Sequence, residues 1–131
     1  MREVILVTPR DFGLQSIFSE LPKSLEASIN EAEGRISISS NDNDGFLEFH
    51  FDESMKIHYQ TTDELNSIAA AGQFPNFYTI SFRNIEKLRS VLMLVANRHD
   101  VVIDNDFGIV ERGDRFIERW GRNPDWDWAP R

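Results

Sequence analysis

"RISISSNDNDGFLEFHF", Arg35 to Phe51, decides the fold. At its start Ile36 and Ile38 alternate with Arg35, Ser37 and Ser39, and at its end Leu47, Phe49 and Phe51 alternate with Glu48 and His50. A period of two, carried by β-branched and aromatic residues, marks a strand with one buried face. Between the two runs, Ser40 to Gly45 reads "SNDNDG", and Asn, Asp and Gly are the residues that tolerate the backbone angles of a hairpin turn. Two antiparallel strands are therefore expected. A third, "MKIHYQ" (Met55 to Gln60), is expected to turn Ile57 and Tyr59 inward. With Glu53, Ser54 and Met55 as its loop, it would set Asp52 opposite Lys56, Phe51 opposite Ile57 and His50 opposite His58.

Helical periodicity flanks this strand-rich centre. Leu14, Ile17, Phe18, Leu21, Leu25 and Ile29 recur every three or four residues, with Pro22 breaking the run into two pieces and Gly34 closing it. Asp63 starts a short helix in "DELNSIAAAG", and Asn84 caps the clearest one, "IEKLRSVLMLVANR", with Ile85, Leu88, Val91, Leu92 and Val95 in register. "EVILV", "NFYTISF" and "DVVID" read as buried strands, "IVE" as a hairpin partner of the last, and "DRFIERW" as a short amphipathic helix. The fold class predicted is α+β: a single domain over residues 1–131, with a mainly antiparallel sheet packed against helices.

Composition narrows the function. The chain of 131 residues has one core's worth of length, 40% apolar residues, 10 Phe and 3 Trp. The absence of cysteine removes disulfides, thiolate zinc sites and cysteine nucleophiles, and points to a reducing, cytoplasmic setting. The longest apolar run near the start, "VILV", is too short for a signal-peptide core, and no run approaches a membrane span. A net charge of -8 repels nucleic acid and anionic lipid, so neither is expected as a partner. The acidity is uneven: Asp11 to Glu64 holds 12 acids and three bases, the rest 10 acids and 11 bases. A basic protein partner fits that asymmetry.

Catalytic and metal signatures fail on spacing. Aligned as a calcium loop, "SNDNDG" puts Ser40, Asp42 and Asp44 at ligand positions, but Phe51 stands where a bidentate Glu is required. "DNDFG", Asp104 to Gly108, contains the magnesium-binding triplet of protein kinases without any other kinase motif, and reads as a strand running into a turn. His50 and His58 across a hairpin, or Asp104 and Asp106 side by side, would be the ligands or acid–base groups of a small metal-dependent hydrolase, the enzymatic alternative. A small-ligand-binding or homo-oligomeric scaffold protein is a third reading. In the tail, "DWDW" either folds Trp126 and Trp128 over the sheet as a cap or presents them as interface anchors.

The segment "NFYTISFRNIEKLRSVLMLVANRHDVVIDNDFGIVERGDRFIERWGRNPDWDW", Asn76 to Trp128, resembles the small acidic bacterial immunity proteins of contact-dependent and polymorphic toxin systems. The resemblance implies a protein that acts by binding, and neither a cofactor nor a bound metal is expected. Such a protein binds and neutralises one cognate toxin domain, often a nuclease, in the cytoplasm. Inhibitory residues vary between members of such families, so none carries over position by position. The residues themselves offer Asp42, Asp44, Glu48, Asp52 and Glu53 around the central hairpins as a partner-binding surface, with Trp126 and Trp128 as anchors.

Overall fold

Val4, Ile5, Leu6 and Val7 are all buried, because the strand that carries them, β1 (Arg2–Thr8), has a strand on each side and apolar cover on both faces. An unbroken apolar run is what such a position demands, since neither set of alternate residues meets water. In the computed structural model, which describes residues 2–39, 45–106 and 108–128, β1 lies within a seven-stranded sheet of order β2-β3-β4-β5-β1-β6-β7. The other strands are β2 (Ala27–Asn30), β3 (Arg35–Ile38), β4 (Leu47–Phe51), β5 (Asn76–Phe82), β6 (Val102–Asp104) and β7 (Val110–Arg112), and every pairing is antiparallel. The α+β architecture and the pairing of Arg35–Ile38 with Leu47–Phe51 are as the alternation predicts.

One face carries the main core. Val4 and Leu6, Ile36 and Ile38, Leu47 and Phe49, and Tyr78, Ile80 and Phe82 point to the side covered by α1 (Leu14–Ser19), α3 (Ile85–Val95) and α4 (Gly113–Arg122). Asn84 caps α3 as expected, its side chain accepting from the backbone N–H groups of Glu86 at 2.8 Å and Lys87 at 3.1 Å. Opposite, α2 (Thr62–Ile68) and its neighbours cover only one end, closing over Ile5, Val7, Phe77 and Val102. Toward β2 that second face is polar, with Ser28, Ser37, Glu48 and Ser81 in register across four strands.

Three expectations are corrected. Ile29 does not end a helix: after a 3-10 turn over Lys23–Leu25, Glu26 takes a left-handed backbone (φ 53°) and the chain reverses into β2, where Ile29 faces Ile36. A strand places alternate apolar residues as well as a helix places every fourth, and a lone Ile cannot distinguish them. Met55–Gln60 is not a strand. Asp52 accepts a hydrogen bond from the Ser54 N–H at 3.0 Å and starts a 3-10 helix over Glu53–His58, so β4 pairs with β5 instead. His50 is therefore in register with Arg35 and Thr79, not with His58, and Ile57 is 65% exposed. Finally, the cap of α2 is Thr61, two residues before Asp63: Thr61 and Glu64 form a capping box.

The β2–β3 turn fixes one glycine. Gly34 has φ 67°, its carbonyl accepts from the Phe51 N–H at 2.8 Å, and an added Cβ would meet the Phe51 Cβ at 3.0 Å.

Candidate functional site

Where β6 returns beside β1, alternation brings chain-distant carboxylates together. Glu3 is exposed on the side of β1 away from Val4, and Asp104, opposite Ile5, ends β6. Asp106 follows in a left-handed conformation (φ 62°) and donates its backbone N–H to Asp104 Oδ1 at 2.7 Å, the local hydrogen bond by which Asp tolerates such backbone. From across the cleft, Tyr59 donates its hydroxyl to Asp104 Oδ2 at 2.6 Å, while its ring stacks on Phe77 with centroids 5.5 Å apart. With His58 and Glu64, these groups line a cleft of about 420 Å³.

Asp104 is only 8% exposed, and two donors satisfy it where water no longer can. Glu3, Glu64, Asp104 and Asp106 form no ion pair among the described residues. Four arginines of the C-terminal half are different. Arg98 pairs with Asp100 at 2.8 Å, Arg112 with Asp114 at 2.9 Å, Arg119 with Glu111 at 3.1 Å, and Arg122 with Glu118 one helical turn away. Those four cations are balanced locally, whereas the cleft carboxylates have no cation paired with them among the described residues.

Next to the cleft, and sharing Tyr59 with it, lies an apolar groove of about 470 Å³ beneath α2, lined by Leu65, Ile68, Ala69, Pro75 and Phe77 among others. Leu65 is 50% exposed, and Ile57 and Phe74, near the ends of the same stretch, are exposed too. Large apolar side chains left in water beside a groove mark a surface suited to a partner.

The predicted site residues disperse. Asp42 and Asp44 lie outside the described residues. Glu48 sits on the polar sheet face, 3.8 Å from Arg35; Asp52 is engaged as a helix cap; Glu53 is exposed, 3.9 Å from Arg10. Trp128 is not a surface anchor: it is 1% exposed, edge-on to Phe116 and Trp120, where burial of the largest side chain outweighs display. Trp126 is half-buried against Phe116, with the Arg119 guanidinium 3.9 Å from its ring centre. Of the two histidines only His58 reaches the cleft with Asp104 and Asp106, and among the described residues no three metal-binding side chains are placed to share an ion. Glu3, Tyr59 and Glu64 carry no sequence signal of their own, since only the return of β6 to β1 assembles them.

Burial, reinforced by the Asp104 carboxylate, pushes the Tyr59 hydroxyl far above the ordinary tyrosine range. Burial likewise pushes Tyr78 up to about 12, although Thr8 and Arg10 pull the other way. Both phenols stay protonated in the fold at pH values where an unfolded chain ionises, so their stabilising contribution is complete below pH 10.0 and drains away as pH rises through the folded values. The unfolding free energy is expected to fall from pH 10 upward, Tyr78 alone accounting for roughly 2–3 kcal/mol by pH 12. Urea midpoints recorded alongside tyrosinate absorbance check this; flat stability across that window would contradict it.

Comparison of the chain with protein-family models, with curated proteins and with solved structures found no match. No described helix is long and apolar enough to cross a membrane.

Proposed function

We propose that this chain is a non-catalytic inhibitory binding protein that covers a basic toxin domain, a nuclease in the simplest case, in the manner of an immunity protein in the cytoplasm. The observation that carries the reading is the cleft: four carboxylates that form no ion pair among the described residues gather beside exposed apolar side chains, while Arg98, Arg112 and Arg119 are each paired with a carboxylate of their own. A nuclease must hold phosphate with Lys and Arg, and a carboxylate-lined surface that docks there both attracts that patch and denies it to substrate. The charge speeds encounter and sets orientation; the apolar surface slows release.

Association with a basic nuclease domain should be at least about tenfold faster at low than at high salt, because exposed charges are screened within about a Debye length. The double variant Glu3→Gln, Asp106→Asn should lower that rate several-fold and flatten its salt dependence, while dissociation changes little. Asn tolerates the left-handed backbone at position 106, so the fold is expected to persist. Stopped-flow kinetics against a purified basic nuclease toxin domain supply the measurement. A salt-independent rate, or one untouched by the double variant, would take the cleft out of the interface.

A further inference from the structure

We infer that the groove and the cleft work as one bipartite site, which takes an apolar side chain and a neighbouring Arg or Lys side chain from the same segment of the partner. The inference rests on the reading of the protein as a binder of a basic partner and names what that partner must present.

Tyr59 joins the two cavities, since it lines both. Its ring forms part of the groove wall against Phe77, and its hydroxyl is turned to Asp104 in the cleft. The groove, about 470 Å³, is of the size that binds small apolar groups and is open enough at Leu65 for a side chain to enter from solvent. The cleft, about 420 Å³, asks for positive charge. Among the described residues Asp104 accepts one hydrogen bond on each oxygen, which leaves each a second lone pair, and Glu3 and Asp106 stand exposed at its edge. A guanidinium suits such a set because its fixed fork of donors can meet two carboxylate oxygens at once.

Charge also selects among occupants. A second copy of this chain, carrying -8, would bring the same uncompensated carboxylates against these. A metal ion lacks a third suitably placed ligand among the described residues. A cationic side chain needs neither, and its aliphatic stem can lie along Tyr59 while the head reaches Asp104. Lys56 borders the groove and not the cleft, so the sign of the charge changes from one end of the site to the other, and this fixes which side chain seats at which end.

The test is a heteronuclear NMR titration of the full chain with two blocked dipeptides, acetyl-Leu-Arg-amide and acetyl-Leu-Glu-amide. The Leu-Arg probe should move the amide signals of Tyr59, Leu65, Phe77, Asp104 and Asp106, and the Leu-Glu probe should leave them in place. Leu65→Asp, at a half-exposed position, and Asp106→Asn should each weaken the Leu-Arg response about tenfold, equivalent to 1.4 kcal/mol. Equal responses to both probes, responses elsewhere on the surface, or none at all would overturn the inference. The broader reading fails separately: if the chain neutralises a toxin domain and Leu65→Asp neutralises it equally well, the bipartite site is wrong and the inhibitory reading stands. If the Leu-Arg probe binds selectively yet no toxin domain is neutralised, the site stands and the inhibitory reading falls.

Discussion

Trp128→Ala is expected to cost about 3–5 kcal/mol of stability, the range for deleting a large aromatic side chain from a core. The residue lies in a segment, residues 123–128, that forms neither helix nor strand, and such segments usually contribute little to a core. Its surroundings reverse that expectation. The indole is 1% exposed and meets Phe116 edge-on at 4.8 Å and Trp120 at 4.6 Å, so its loss opens a cavity bordered by two further aromatic rings. The backbone carbonyl of Trp128 accepts from Asn105 Nδ2 at 2.6 Å, and Asn105 Oδ1 accepts from the Ile109 N–H at 2.9 Å. The tail is thus tied to the turn between β6 and β7. The indole Nε1 has no hydrogen-bond acceptor among the described residues, so Trp128→Phe sacrifices volume and no such bond, and should cost less than half as much. Urea unfolding followed by fluorescence separates the two variants. A loss under about 1 kcal/mol for Trp128→Ala would mean that the tail is not part of the core.

Gly113→Ala is expected to destabilise by at least about 1–3 kcal/mol, against the direction that helix propensity gives. Gly113 begins α4, and alanine in a helix ordinarily gains up to about 1 kcal/mol over glycine. Here a Cβ would sit 1.9 Å from the Ala96 carbonyl oxygen and 3.0 Å from its carbon, and both are backbone atoms. Neither can swing aside as a side chain would, and the Gly113 N–H is held to Val101 O at 2.7 Å. Relief requires α4 to move away from the end of α3, which loosens Phe116 and Trp120 in the same core. Thermal melts compared with Gly121→Ala, where a Cβ meets nothing within 4 Å, isolate steric cost from propensity. A stabilised Gly113→Ala would show that α4 packs less closely than described.

How much of this was legible in the sequence follows from the range of the interactions. Elements governed by their own residues were readable: the alternation of Ile36, Ile38, Leu47 and Phe49, the unbroken run in β1, and the Asn84 cap with its helical stripe. Where two periods fitted the same residues, the sequence misled, as at Ile29. At Met55–Gln60 a local cap by Asp52 and a better neighbour in β5 displaced an expected third strand. Gly113 gave no warning of its contact with Ala96, because the positions meet only in three dimensions. The candidate site was the least legible part. Asp104 and Asp106 were visible as a pair two residues apart, but Glu3, Tyr59 and Glu64 join them only through the order β5-β1-β6 and the placement of α2, which no spacing encodes.

The central claim is that this chain works by covering a cationic surface and not by catalysis, and one measurement meets it most directly. A basic nuclease toxin domain is expressed with and without this chain, and cell survival is scored together with nuclease activity of the purified domain titrated with the purified chain. The account predicts survival only with the chain present, and inhibition that is complete at one equivalent and weakened by added salt. Survival without the chain, or undiminished nuclease activity at an excess of it, would contradict the account.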